Sequence, residues 1–116
     1  MTKFSFPKNR RILKRKDFIR ISKQGKKVLT NYFIAIITKG AGYNNRIGIT
    51  ASKKVGNAPQ RNRIKRLIRE YFRHRIEKET GTKDIIIIAR KGIVSLSNKE
   101  INSELEKIFS KITRLQ

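Results

Sequence analysis

Apolar positions change their period several times along this chain, and each change marks an element. From Arg15 to Gln24, Phe18 and Ile21 are spaced for a short helix that Gly25 ends. Residues 26–39 are rich in β-branched and aromatic side chains and read as two strand pieces broken near Asn31. In the second piece Tyr32, Ile34 and Ile36 share one face, and Phe33, Ala35 and Ile37 the other. Both faces are apolar, so both should be covered. Gly40, Gly42, Asn44 and Asn45 mark a turn. Arg46 to Ser52 then alternates as a third strand, with Ile47, Ile49 and Ala51 on one side and Gly48, Thr50 and Ser52 on the other.

Asn57 is a helix N-cap, and Pro59 is tolerated because first-turn amides have no intrahelical partner. Ile64, Leu67, Ile68, Tyr71 and Phe72 follow the spacing of an amphipathic helix, predicted to run to about Thr80 with Gly81 beyond its end. The run from Asp84 to Arg90 is short and continuously apolar, the pattern of a strand buried on both faces. Ser97 and Glu100 form a capping box for a last helix, whose stripe is Ile101, Leu105, Ile108, Phe109 and Ile112. Residues 1–14 show no apolar period and read as a basic arm. The predicted order is α-β-β-β-α-β-α: an α+β fold with a four-stranded sheet and packed helices, in one domain spanning residues 1–116.

Charge changes this picture from a fold to a partner. The chain of 116 residues carries 30 Lys and Arg against 8 Asp and Glu, a net of +22. Its 37% apolar content comes in organised runs, which separates it from a disordered polyelectrolyte. No apolar run reaches the length of a membrane span, and the N-terminus has no apolar signal core. Without cysteine there is neither a disulfide nor a thiolate metal site, which fits a reducing compartment. A polyanion remains as the partner: RNA, DNA or an acidic surface. The charge is also unevenly placed. Residues 1–30 hold a net of +10 and residues 53–75 a net of +8, while residues 97–116 hold only +1.

The second of these patches carries the chemistry. In the helix after Asn57, the residues Asn62, Arg66, Arg69 and Arg73 fall within about 60° of one another at 3.6 residues per turn. Lys65 and Arg61 flank them on one side and Arg63 on the other. The helix start carries Lys53, Lys54, Arg61 and Arg63 where the macrodipole favours acids. Such a start makes sense if an anion sits among the first-turn amides and arginines. A merely solvated basic face is the plainer reading of one charged helix, but the +10 arm and the overall charge weigh against it.

The stretch from Lys53 to Glu70 (Lys-Lys-Val-Gly-Asn-Ala-Pro-Gln-Arg-Asn-Arg-Ile-Lys-Arg-Leu-Ile-Arg-Glu) resembles the arginine-asparagine-arginine signature of the bacterial ribonuclease P protein subunit. The likeness extends to residues 13–18 and 84–90, in the same order, and covers roughly residues 8–110. The resemblance implies a left-handed β-α-β crossover, a cytoplasmic location and two RNA partners: the catalytic RNA subunit and precursor tRNA. The RNA, with magnesium ions, would remove the 5′ leader, and the protein would hold the leader and tighten substrate binding. No cofactor bound by the protein alone, no protein partner and no membrane are implied. On this reading Lys53, Arg61, Asn62, Arg63, Lys65, Arg66, Arg69 and Arg73 meet the catalytic RNA. The leader cleft falls between the first helix and one sheet face, at Phe18, Ser22, Ile34, Ile36, Thr50, Ser52 and Lys54. Some relatives carry aromatic residues where this chain has Ser22 and Ile36, so leader contact would rest more on Phe18, apolar packing and Lys54.

Two other functional classes are open to so basic a chain. A self-contained nuclease needs an acid, a base or a metal cluster. The lone His74 sits in the Arg-rich helix as a rim residue, the eight carboxylates are scattered, and no metal-ligand spacing occurs. A basic ribosomal or nucleoid protein fits the composition alone, and only the long motif displaces it. Phe18 itself has two readings, core packing under the first helix or the border of the leader cleft.

Overall fold

The run Asp84-Ile-Ile-Ile-Ile-Ala organises the fold, because a strand apolar on both faces is stable only between two covered surfaces. In a computed structural model of the chain, which describes residues 11, 12, 14–40, 45–75 and 83–114 without the side chain of His74, the elements follow the predicted order. They are α1 (Arg15–Gln24), β1 (Lys26–Leu29), β2 (Phe33–Lys39), β3 (Arg46–Thr50), α2 (Ala58–Arg75), β4 (Lys83–Ala89) and α3 (Asn98–Arg114). The sheet order is β1-β2-β4-β3. β2 is antiparallel to both β1 and β4, while β3 and β4 are parallel, their connection passing through α2. A 3₁₀ turn at Ile93–Ser95, too short for a periodic signal, buries Ile93 before α3. The expected extension of α2 to Thr80, the turn at Gly42 and Asn44, and the tip of the basic arm lie outside the described residues.

The two faces of β4 build two cores. Ile85, Ile87 and Ala89 join Phe33, Ala35 and Ile47 beneath α2 and α3, which contribute Ile64, Ile68, Phe72, Ile101, Leu105 and Ile108. Tyr71, Phe72 and Phe109 join α2 to α3 edge-to-face, with ring centroids 5.2, 5.8 and 6.1 Å apart. On the other face Ile86 packs with Ile36, Ile21 and Ile12 beneath α1. Ile12 corrects the reading of residues 1–14 as a plain arm: it is buried, and its amide donates to the Ile47 carbonyl at 2.9 Å. The few apolar residues of this basic run follow no period, so the sequence could not show it. Tyr32 is a second correction. It packs with the α2/α3 core and not with Ile34, because the chain is still turning there and strand alternation starts only at Phe33.

The position of α1 is set by an ionic knot. Asp84 is 0% exposed, yet its carboxylate accepts from Arg46 Nε at 2.9 Å, Arg46 Nη2 at 2.8 Å and Arg20 Nη2 at 2.7 Å. Asp17 adds longer contacts, 3.6 Å to Arg46 and 3.9 Å to Arg20. Two acids and two arginines thus join α1 to β3 and β4. At the other end of α1, Gly25 lets the chain approach β2: a Cβ there would stand 2.6 Å from Ile36 Cγ2 and 2.7 Å from the Ile21 carbonyl.

Burial alone would push the Asp84 pKa up, but the hydrogen bonds from Arg46 and Arg20 outweigh it and hold the carboxyl below its ordinary value. A depressed folded-state pKa contributes stability that is full above the unfolded value, about 3.9, and is lost as pH falls through the folded value. Asp84→Asn should therefore cost about 3 kcal/mol at neutral pH, because it leaves two arginines without their shared acid. It should also flatten the acid limb of a melting-temperature profile taken between about pH 2 and 6. A variant as stable as the parent and equally acid-sensitive would show that Asp84 does not anchor α1.

Candidate nucleic-acid interface

The basic helix starts with a reciprocal cap. The Gln60 amide donates to Asn57 Oδ1 and the Asn57 amide to Gln60 Oε1, both at 2.9 Å. This corrects the expectation of an anion seated on free first-turn amides, since side chains already satisfy two of these donors. Val55 is buried and fixes the turn that projects Lys53 and Lys54 into solvent.

Along α2, Ile64, Leu67, Ile68, Tyr71 and Phe72 are buried, so the opposite surface is the ridge expected from the wheel. Asn62 and Arg66 are exposed, and Arg61, Lys65, Arg69 and Arg73 are half-buried. Arg61 Nε is enclosed and has no acceptor among the described residues. The ridge is not uniformly free. Arg66 Nε lies 3.6 Å from Glu70, an exposed pair of little weight that a phosphate can displace.

Arg63 departs from the expected role. Its Nη2 donates to the Leu96 carbonyl at 2.9 Å and to Asn98 Oδ1 at 2.7 Å, and its Nε donates to Asn98 Oδ1 at 3.1 Å. The guanidinium ties the start of α2 to the start of α3. Its partners lie 33 and 35 residues downstream, and no sequence pattern announces so distant a bond.

Register defines the second surface. On the face that α1 covers, the cross-strand neighbours form three rows. Thr38, Asp84 and Arg46 make the ionic end; Lys27, Ile36, Ile86 and Gly48 make the middle; Leu29, Ile34, Ile88 and Thr50 make the far end. α1 covers the ionic and middle rows. Phe18 stacks directly on Gly48, where a Cβ would stand 2.7 Å from the ring Cζ, so only glycine allows this approach. The far row stays open, with Ile34 and Ile88 half-buried, Thr50 exposed and Leu29 46% exposed. Ser22 on α1 and Ser52 and Lys54 beyond β3 are also exposed.

Six of the seven expected cleft residues thus reach the surface beside this open row, wholly or in part. Ile36 does not: it is 4% exposed because the end of α1 closes over it. Leu29 and Ile88 were missed, since their place in the row depends on pairing register and not on spacing along one strand. Phe18 is half-buried at the edge of the α1 core: it packs with that core and leaves part of its ring at the surface.

The two parts of the ridge should separate in a stability assay. Arg66→Ala should change folding free energy by no more than about 0.5 kcal/mol, as an exposed substitution. Arg63→Ala should cost about 1–2 kcal/mol through its lost hydrogen bonds. Asn98→Ala should cost a similar amount, with the double variant well short of additive in denaturant unfolding. Additive losses would show that the two side chains act independently.

The comparisons with known proteins agree with this architecture. The Ribonuclease P family profile matches residues 6–113. The chain is similar to the ribonuclease P protein component of Desulforapulum autotrophicum, at 49% identity over 114 residues covering 98% of this chain and 97% of that one. It is 40% identical to that of Legionella pneumophila, covering 95% of each. Among solved structures, the RNase P protein of Staphylococcus aureus superposes with a TM-score of 0.82 at 38% identity, covering 89% of this chain and 94% of that one. That of Thermotoga maritima gives 0.74 at 30% identity, covering 84% and 93%. With a profile spanning nearly the whole chain and a shared four-stranded architecture, the chain belongs to the ribonuclease P protein family.

Proposed function

We propose that the chain holds two RNA segments at once: the catalytic RNA on the α2 ridge and the 5′ leader of precursor tRNA on the open row beside α1. So placed, it promotes endonucleolytic removal of the leader to give the mature tRNA 5′ end. The observation that carries this reading is the separation of the two surfaces. α2 lies on one face of the sheet and α1 on the other, and each leaves a different chemistry exposed. The ridge offers arginines to phosphates, which fixes an RNA without reading its sequence. The row Leu29, Ile34, Ile88 and Thr50 offers aliphatic contact without a stacking ring, so leader contact there is tolerant of base identity.

The carboxylates support an RNA-borne chemistry. Each described acid already has a structural engagement. Asp17 and Asp84 hold Arg20 and Arg46, Glu70 pairs with Arg66, Glu104 with Lys107 and Glu106 with Arg75, while Glu100 caps α3. Among the described residues no three metal-ligating side chains converge, so no step is assigned to a protein-held metal ion. The RNA and its magnesium ions supply hydrolysis, and the protein supplies position and countercharge. No described helix is long and apolar enough to cross a membrane.

Alone, the purified chain should leave precursor tRNA uncut; with a bacterial ribonuclease P RNA it should restore cleavage at low magnesium. Its affinity for that RNA should fall on the order of 10³–10⁵ between 50 and 200 mM salt, as for six to ten phosphate contacts. Arg66→Ala should reduce the salt slope by about one. A flat salt response, or no gain in cleavage on adding the protein, would reject this function.

A further inference from the structure

Several of the described arginines are engaged within the fold. Arg20 and Arg46 bind Asp84, Arg63 binds Asn98, Arg66 pairs with Glu70, Arg75 with Glu106, and Arg90 donates to the Thr30 carbonyl. Like Arg15, Arg61 and Arg114, Arg11 and Arg69 have neither a side-chain hydrogen bond nor an ion pair among the described residues. These two line the same cleft, at the outer edge of β3.

The cleft is assembled from three directions. The bridge between Arg11 and Ile47 lays the incoming chain along β3, the edge strand of the sheet. α2 brings Arg69 from one face, and α1 brings the Phe18 ring from the other, resting on Gly48. No acid lines this cleft. The groove between α2 and α3, by contrast, holds Glu70 and Glu106, and the one between residues 30–31 and α3 holds Glu104. With two arginines, no acid and an apolar floor in its lining, the cleft suits an anion. The space is about 140 Å³, a few water volumes at roughly 30 Å³ each, which admits a phosphate group.

We infer that Arg11 and Arg69 together hold one phosphate of the precursor tRNA leader, with the adjoining ribose or base resting on Phe18. The inference rests on the function proposed above and deepens it. Arg69 then belongs to the leader, although its place on the wheel groups it with the ridge that meets the catalytic RNA. The leader would be charge-clamped at the edge of β3 before it crosses the open row. A guanidinium fork suits a phosphodiester, since both of its oxygens can be bonded at once. The ring of Phe18 marks the bound strand as single-stranded, because a duplex would not present an unstacked base or ribose to it.

The test uses the reconstituted complex of protein, bacterial ribonuclease P RNA and precursor tRNA, with a neutral methylphosphonate placed at each leader linkage in turn. The parent protein should lose about tenfold in affinity at one linkage, the scale of a charge-assisted hydrogen bond. Arg11→Ala and Arg69→Ala should each bind the unmodified precursor about tenfold more weakly and be indifferent to methylphosphonate at that linkage. The double variant should be little worse than either single one, because both remove the same contact. Arg11→Ala should leave mature tRNA affinity, catalytic RNA affinity and melting temperature unchanged.

Variants that weaken mature tRNA or the catalytic RNA as much as the precursor would assign the phosphate to another strand and overturn the inference. So would a leader without any sensitive linkage, or an Arg11→Ala protein indistinguishable from the parent. A parent protein that does not restore cleavage would instead remove the functional reading on which this inference stands.

Discussion

A single buried carboxylate decides the shape of one face of this protein's sheet. Asp84 opens the central strand and is closed off from solvent, so its charge is tolerable only with partners at hand. Arg46 from the neighbouring strand and Arg20 from α1 both supply them. Since Arg20 comes from the helix, satisfying Asp84 pins α1 over one end of the sheet. α1 is only 10 residues long and ends at Gly25, so it covers the ionic and middle rows and leaves the far row bare. The open row is thus a consequence of where the acid sits. An apolar residue at position 84 would leave α1 without this anchor.

The same economy of anions governs the rest of the chain. With 30 basic residues and 8 acids, most cations lack a carboxylate, and the distribution of the few acids sets which cations remain available. Asp17 and Asp84 neutralise the α1 junction, and Glu70 and Glu106 lie along the α2–α3 side. Neutral acceptors do similar work: Asn98 takes Arg63, and the carbonyls of Leu29 and Thr30 take Lys111 and Arg90. The arginines left over stand where an external polyanion would replace missing countercharge. Self-repulsion at this net charge opposes the compact state, so an RNA partner relieves a cost built into the sequence.

Phe18 shows how a residue can belong to a core and still reach the surface. Its ring completes the smaller core with Ile12 and Ile21, yet it lies at the margin, pressed on a glycine at the edge strand. Packing holds the ring in place, so a contact made at the lip of the cleft would cost little side-chain freedom. The glycine is the structural condition for this, because any larger residue at position 48 would lift the ring and α1 with it.

Element order, the caps of α2 and α3 and the two-faced burial of the central strand were legible from residue spacing. They depend on periods of two and 3.6 residues and on short-range hydrogen bonds, which the local sequence encodes by itself. The basic ridge was legible for the same reason, since a helix maps spacing directly onto a face. Other features joined residues far apart in the chain: the row Leu29, Ile34, Ile88 and Thr50, the pairing of Arg63 with Asn98, the enclosure of Ile36 and the meeting of Arg11 with Arg69. Strand register and helix docking bring these residues together, and both are settled by the packing of the whole core. Charge and periodicity determined that this chain folds as an α+β domain and seeks a polyanion; only the tertiary structure decided which of its cations remain free to hold one.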